Sequence, residues 1–362
     1  MIAFLDNPPR IQPYFGYRNA HRLTIEARAL RNAKPEWKHS RRLSKMRALL
    51  SSFASREHPR LPVTLTARSP DGRTVSSQGE TNDEGFVRFD IELDDWAAPE
   101  HTEWETVELS WITRKGPQRI EGYVLAPGTR ATLAVISDID DTIIESGAAG
   151  GAKAIAKNWR RFIAEMPDER VPVPGADKLY GALSGGAVPG PGEHFPATHH
   201  PFFYVSSSPW NLFSYLVAFM KARDLPVGPI HLRDWGLNRD TLGSSSHGEH
   251  KLAQIESIIG FYPSMRFALI GDDTQADLVA FSKVAENHPD RVAAIFIRKA
   301  GEEFSPDEIA AKERIAQSAV PFWMGESYEI GQAFLEKIGL DHDGEAENIV
   351  ETVDEAHNPD PA

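Results

Sequence analysis

The chain has 362 residues, of which 41% are hydrophobic and 25% charged, with a formal net charge of −13. This composition suits two globular domains and excludes a disordered or fibrous protein. The absence of cysteine excludes disulfides, thiolate metal ligands and cysteine nucleophiles, so any metal must be held by oxygen or imidazole. No apolar stretch approaches the roughly 20 residues of a membrane span, and the first residues lack the features of a signal peptide. We therefore expect a cytoplasmic protein.

The first part of the chain, residues 1–60, is predicted to be a basic helical segment. Between Arg18 and Arg60 there are twelve Lys or Arg residues and three acidic ones. From Trp37 to Phe53, apolar residues recur at steps of three and four with basic residues between them, which predicts an amphipathic helix. Such a helix either packs on the adjacent domain or touches an anionic membrane surface, so peripheral membrane association is a second expectation for the location.

Residues 61–128 are predicted to form a small antiparallel β-sandwich. The segments VTLTA, FVRFDIEL, WETVELSWI and QRIEGYVLA have period-two hydrophobicity and are separated by turn sequences such as SPDG and NDEG. No catalytic motif is visible in this domain.

Residues 129–338 have the pattern of an α/β domain, and residues 339–362 that of an acidic disordered tail. The apolar runs TLAVIS, FFYVSS, PIHL, RFALIG and VAAIFI are mostly separated by helical segments, which predicts a parallel sheet with crossover helices on both faces. In such sheets the functional residues lie at the carboxyl ends of the strands. The polar sequences SDIDDT, SSSPW and GDDTQAD all follow apolar runs in this way.

Two acidic clusters follow buried strands. They are Asp138, Asp140 and Asp141 after the first run and Asp272, Asp273 and Asp277 after the fourth. Adjacent parallel strands would bring the two clusters within a few ångströms, where carboxylates repel one another unless a hard cation neutralises them. Oxygen-only ligands suit Mg²⁺, which would be the cofactor.

These motifs resemble those of the haloacid dehalogenase superfamily of phosphatases. The run DIDDT at 138–142 looks like its DxDxT motif, Ser206 stands in the second motif, Lys251 in the basic third and GDDTQAD in the acidic fourth. More narrowly, DIDDTI, YVSSSPWNLF and LPVGPIHLRDWG together resemble the catalytic domain of the actin-patch-associated phosphatidate phosphatases, relatives of the lipins. The resemblance covers roughly residues 130–330 and implies a haloacid-dehalogenase-like fold.

The resemblance implies phosphoryl transfer through an aspartyl phosphate. Asp138 would attack phosphorus, Asp140 would act as general acid and base, and Thr142 would orient Asp140. The phosphoryl oxygens would be bound by Ser206, Ser207 and Lys251. The metal would be held by Asp138, the backbone carbonyl of Asp140, Asp272 and Asp277. Asp273 stands where relatives often carry Ser, and the resemblance assigns it no role.

Several other interpretations of these residues are open. Asp140 and Asp141 could cap a helix, the serines could be turn residues, and His199, His200, His247 and His250 could hold zinc. An EF-hand is excluded because Ile143 occupies the position that needs glycine, and an all-helical terpene cyclase would not place DIDD after a strand. A non-catalytic relative that only binds phosphate is the alternative from a different class.

The substrate is the least determined part of the prediction. The resemblance and the basic segment favour phosphatidate, whose hydrolysis releases diacylglycerol, and contact with an anionic membrane. The same motifs would serve a phosphatase for a soluble phosphomonoester or a phosphoprotein. We expect no nucleic acid partner.

Overall fold

A computed structural model of the protein describes residues 8–31, 57–140, 142–143, 173–188, 196–233, 247–274, 276–301, 303–329 and 334. The chain divides into two compact units. The first contains residues 1–129, 190–196 and 211–218, and the second contains residues 130–189, 197–210 and 219–362. No helix among the described residues is both long enough and apolar enough to cross a bilayer.

The first unit contains an eight-stranded sheet. Its strands are β1 (Arg10–Pro13), β2 (Gly16–Arg18), β3 (Arg22–Leu30), β4 (Pro62–Arg68), β5 (Thr74–Glu80), β6 (Phe86–Glu92), β7 (Glu103–Thr113) and β8 (Gly116–Ala126). The order is β1-β3-β2-β8-β7-β4-β5, with β6 paired to β3, and every pair is antiparallel except β2 with β8. Alternate residues such as Leu65, Phe89 and Leu109 form one buried cluster, as the period-two pattern predicts.

The prediction of a helical segment over residues 1–60 is wrong for residues 10–30, which form β1, β2 and β3. Two of the basic residues of this stretch, Arg18 and Arg28, are themselves buried, and Leu23, Ile25, Ala27 and Ala29 join the buried cluster. Burial of these strand residues therefore outweighs the basic composition on which the helical interpretation was based. The helix predicted over residues 37–53 lies outside the described residues.

The second unit contains a six-stranded parallel sheet. Its strands, with the short hairpin β10–β11, are β9 (Leu133–Ser137), β10 (Ala187–Val188), β11 (Ala197–Thr198), β12 (Phe202–Pro209), β13 (Ile230–Arg233), β14 (Arg266–Asp272), β15 (Val292–Arg298) and β16 (Phe322–Gly325). The parallel order is β13-β12-β9-β14-β15-β16. Strands β9, β14 and β15 are almost continuously buried because each has a neighbouring strand on both sides and a short apolar sequence.

The helices of the described chain are α1 (Ala176–Ser184), α2 (Phe213–Ala222), α3 (His247–Phe261), α4 (Asp277–Asn287) and α5 (Pro306–Gln317), with short 3-10 turns at Trp210–Leu212 and Pro289–Arg291. Helices lie between β13 and β14, β14 and β15, and β15 and β16, which is the expected crossover pattern. The α/β class is thus confirmed. The haloacid-dehalogenase-like connectivity, the two-layer sandwich and the domain limits stay predictions, and the tail at 339–362 lies outside the described residues.

Candidate active site

The two acidic turns meet because β9 and β14 are adjacent and parallel. Ile270 on β14 pairs with Ser137 on β9, and the backbone N–H of Asp138 donates to the carbonyl of Ile270 at 2.8 Å. The carboxyl ends of both strands therefore open on the same edge of the sheet. Gly271 permits a close approach there, since a Cβ at this position would lie 2.7 Å from the Cβ of Asp277.

Three carboxylates converge at this edge and are called the acidic cluster: Asp138, Asp272 and Asp277. One oxygen from each lies within 4.8 Å of the other two. All three side chains are buried, with Asp138 the most exposed at 2%. The structure thus brings together residues 134 positions apart in the chain, as the parallel-sheet prediction requires.

Lys251 and Thr142 bind the acidic cluster. The Lys251 Nζ donates to Asp138 Oδ1 at 2.8 Å and to Asp277 Oδ1 at 2.5 Å, from the first turns of α3. The Thr142 hydroxyl lies 3.3 Å from Asp138 Oδ2 and 3.2 Å from Asp272 Oδ2, within donating distance of both. Thr142 therefore connects the two acidic turns, a contact that its expected role beside Asp140 did not include.

The electrostatics of the acidic cluster favour a bound cation. Burial, together with the neighbouring carboxylates and against the attraction of Lys251, raises the pKa of Asp138 well above its usual range. Burial and Asp277 likewise raise the pKa of Asp272. Burial alone would lower the pKa of Lys251, but Asp138, Asp277 and Asp272 outweigh it and raise that pKa. One ammonium does not balance three carboxylates, so the cluster would hold protons unless a cation displaces them.

The donor set itself fits a hard divalent ion, because all three side chains offer carboxylate oxygens and none offers nitrogen or sulfur. Asp138, Asp272 and Asp277 would hold such an ion. Among the described residues these three form the one group of His, Asp or Glu side chains with converging ligand atoms, and the predicted backbone ligand at Asp140 stays a prediction.

Asp140 is bound by two serines of β12. The hydroxyls of Ser206 and Ser208 donate to Asp140 Oδ2 at 2.7 and 2.8 Å, and the backbone N–H of Ser208 donates to Ser206 Oγ at 2.9 Å. Ser208 was missed by the sequence analysis, which chose Ser206 and Ser207. Residues two apart on a strand share a face, so the period of β12 could have indicated Ser208. Ser207 is buried, and its predicted contact with substrate stays a prediction.

Asp273 has a structural contact. Its Oδ1 accepts from the backbone N–H groups of Ala300 and Gly301, both at 2.7 Å, directly after β15. The carboxylate therefore holds the loop after the neighbouring strand, and this acidic turn contributes Asp272 and Asp277, not Asp273, to the acidic cluster. No local sequence signal indicates this bond, because its partners are backbone groups 27 and 28 residues away.

A second missed contact supports the backbone of Asp138. The Ser137 hydroxyl donates to the Asp138 carbonyl at 2.6 Å, so the Tyr180 hydroxyl, 2.5 Å from Ser137 Oγ, is the donor in the other bond. Ser137 and Tyr180 are both fully buried. Helix α1 thus helps to fix the turn that carries the first acidic motif.

The region with this geometry has known relatives. Residues 133–299, which include every site residue described above, match the family described as phosphatidate phosphatase APP1, catalytic domain.

Two curated relatives extend the comparison. The phosphatidate phosphatase APP1 of Saccharomyces cerevisiae is 26% identical over 296 residues, 80% of this chain and 47% of the yeast protein. An uncharacterised protein of Schizosaccharomyces pombe is 25% identical over 177 residues, 48% of this chain and 26% of that protein. The chain thus spans less than half the length of these relatives. Among solved structures, β-glucuronidase 2 of Bacteroides uniformis aligns at 9% identity over 95% of this chain and 44% of that chain, but its TM-score of 0.24 supports no argument.

Proposed function

We propose that the protein is a Mg²⁺-dependent phosphatidate phosphatase that acts through an aspartyl phosphate. The supporting observation is the acidic cluster, in which Asp138 lies beside two further buried carboxylates and within 2.8 Å of the Lys251 ammonium. The yeast relative, named as a phosphatidate phosphatase, supports the choice of substrate.

The reaction would proceed in two steps. In the first, a carboxylate oxygen of Asp138 forms a bond to phosphorus while the bond from phosphorus to the glycerol oxygen breaks, and Asp140 gives that oxygen a proton. Diacylglycerol leaves. In the second, Asp140 takes a proton from water, the water oxygen attacks phosphorus, and the bond to Asp138 breaks to give inorganic phosphate.

The surroundings of each aspartate suit its role. Lys251 places a fixed positive charge beside Asp138, where the substrate's phosphoryl group would gather negative charge. The hydroxyls of Ser206 and Ser208 fix the direction of the Asp140 side chain. A divalent cation held by the acidic cluster would polarise the phosphoryl oxygens and reduce the repulsion between substrate and Asp138.

The test is phosphate release by the full chain from phosphatidate in detergent micelles, with Mg²⁺ or with EDTA. We expect Asp138→Asn to lower kcat by at least about a thousandfold. The matched control is Asp290→Asn, an exposed aspartate of the same unit, which should leave kcat unchanged.

Four outcomes would contradict the proposal. Phosphate release that survives Asp138→Asn would show that Asp138 is not the nucleophile. Phosphate release that is unaffected by EDTA would show that the reaction needs no divalent cation. Turnover of soluble phosphomonoesters such as glycerol 3-phosphate, with none of phosphatidate, would replace the lipid by a soluble substrate. No turnover of any substrate would favour a phosphate-binding protein.

A further inference from the structure

The tip of the hairpin β7–β8 exposes an apolar side chain. The two strands pair over eleven positions, from Glu103 with Ala126 to Thr113 with Gly116, and residues 114 and 115 form the turn. Ile112, next to the tip, is 77% exposed, which makes it the most exposed large apolar residue of the described chain. It lies on the outward face of β7, whose neighbouring outward residues Glu108 and Ser110 are polar. Packing within the sheet therefore does not explain why an isoleucine occupies position 112.

The same tip carries three cations. Arg114 and Lys115 form the exposed turn, and the side chain of Arg119 on the return strand is 81% exposed. Within the described part of the chain, Arg114 and Lys115 form no ion pair, whereas Arg119 lies 3.7 Å from Glu108.

The acidic residues of the hairpin lie away from the tip. Glu108 and Glu121 face each other five pairs before Thr113 and Gly116, a separation of about 17 Å at the usual rise of a strand. That distance exceeds the Debye length of about 8 Å at physiological salt, so Glu108 and Glu121 do not offset the charges of Arg114 and Lys115 at the turn, whereas Glu108 offsets that of Arg119. Charge is thus segregated along the hairpin.

An open groove of about 710 Å³ adjoins Ile112. Its exposed apolar residues are Pro62, Ile112 and Pro117, whereas the side chains of Val63 and Trp111, which also line it, are buried in the core of the unit. Glu80 on β5 is the acidic residue of the lining. The exposed isoleucine is therefore flanked by two prolines at this end of the sheet. An acyl chain or the glycerol region of a lipid could contact these side chains.

The backbone of the tip is fixed before any partner binds. The Thr113 hydroxyl accepts from the N–H of Lys115 and donates to the carbonyl of Gly116, both at 3.1 Å. Gly116 has a φ of 97°, a left-handed conformation that favours glycine. Binding through this tip would cost little ordering of the loop.

We propose that the tip formed by Ile112, Arg114, Lys115 and Arg119 docks on an anionic lipid bilayer. The isoleucine would enter the interface, and the cations would bind the negatively charged headgroups. A protein partner is less suited to this tip, because one isoleucine and three cations cover far less than the roughly 1,200 Å² of a stable protein interface. A nucleic acid would bind the cations but make no use of the apolar Ile112. The choice of a lipid rests on the proposed function, but the contact itself needs no turnover.

The test is sedimentation of the full chain with vesicles of phosphatidylcholine containing phosphatidylserine, compared with phosphatidylcholine alone. Phosphatidylserine has no phosphomonoester, so binding is measured apart from hydrolysis, and either proposal can fail while the other holds. Arg114→Glu with Lys115→Glu should weaken binding to the anionic vesicles at least about tenfold. Its control is Arg68→Glu with Lys178→Glu, the same change of net charge at two exposed cations that do not belong to the β7–β8 hairpin.

A second pair of variants tests the apolar part. Ile112→Ser should weaken binding several-fold, whereas Ile309→Ser, at the other exposed isoleucine of the described chain, should not. Thermal unfolding measures whether each variant is folded. We expect all of them to be, because every substituted side chain is exposed.

The proposal is overturned if the wild-type chain does not bind anionic vesicles. It is also overturned if the wild-type chain binds them and both the Arg114→Glu/Lys115→Glu variant and Ile112→Ser bind them as strongly as the wild type does. Equal loss in the tip and control charge variants would also overturn it, because the net charge of the protein would then be the cause. Binding to DNA that competes with the vesicles and depends on Lys115 but not on Ile112 would replace the lipid by a nucleic acid.

Discussion

The two units of the protein hold their charges in opposite ways. In the second unit, the acidic cluster and Lys251 are buried, and the carboxylates outnumber the ammonium. In the first unit, pairs such as Arg22 with Asp90 and Arg73 with Asp71 are substantially exposed to water, and the buried Arg18 is paired with Glu105. Burial of unbalanced charge costs folding free energy, whereas exposed pairs change it little. The difference supports the proposal that the second unit retains these charges for chemistry and not for stability.

The largest effect on stability is expected from Lys251→Met. Removing the ammonium would leave the acidic cluster without its buried positive partner, and breaking such a pair costs about 3–5 kcal/mol. Unfolding in urea with EDTA present measures the loss.

A double variant sharpens this prediction. Lys251→Met combined with Asp277→Asn removes one carboxylate together with the ammonium, and we expect it to recover more than half of the loss. If Lys251→Met alone lowers the free energy of unfolding by less than about 1 kcal/mol, exposed and buried ion pairs behave alike in this protein and the contrast between the units fails.

Most of this contrast was predictable from the sequence. The apolar runs before Asp138 and Asp272 predict adjacent buried strands, and a parallel sheet places their ends together. Three features were not predicted: two depend on contacts between residues distant in the chain, and the third was obscured by its composition. Asp273 binds backbone groups after β15, Thr142 joins the two turns, and the strands at residues 10–30 were hidden by their basic composition.

A smaller effect is expected from His200, which is buried in the second unit without belonging to the acidic cluster. Burial, reinforced by the neighbouring His199, lowers the pKa of His200 to about 4, below its ordinary value near 6.5. Between these two values the unfolded chain binds a proton that the folded chain does not, so stability falls as the pH is lowered. From pH 7 to pH 5 the loss from this residue is about 2 kcal/mol.

Urea unfolding at both pH values measures this loss. His200→Gln should lose about 2 kcal/mol less than the wild type over the same interval, whatever its stability at pH 7. His21→Gln, at an exposed histidine of the first unit, should keep the wild-type difference. If wild type and His200→Gln lose the same amount, burial of this histidine does not make the second unit sensitive to acid.

The smallest effect is expected at the exposed pair of the first unit. The Arg22 side chain is 51% exposed and binds Asp90, which is 34% exposed. Water screens such a pair, so Arg22→Gln should change the free energy of unfolding by less than about 1 kcal/mol. The matched variant is Arg18→Gln: Arg18 is 1% exposed, binds Glu105 and donates to the Ala97 carbonyl at 3.0 Å. Arg18→Gln should lower the free energy of unfolding more than Arg22→Gln, because the burial of a charged side chain, and not the unit it belongs to, determines the cost of removing it. Equal losses of stability in the two variants would mean that the contrast between the units comes from their folds instead.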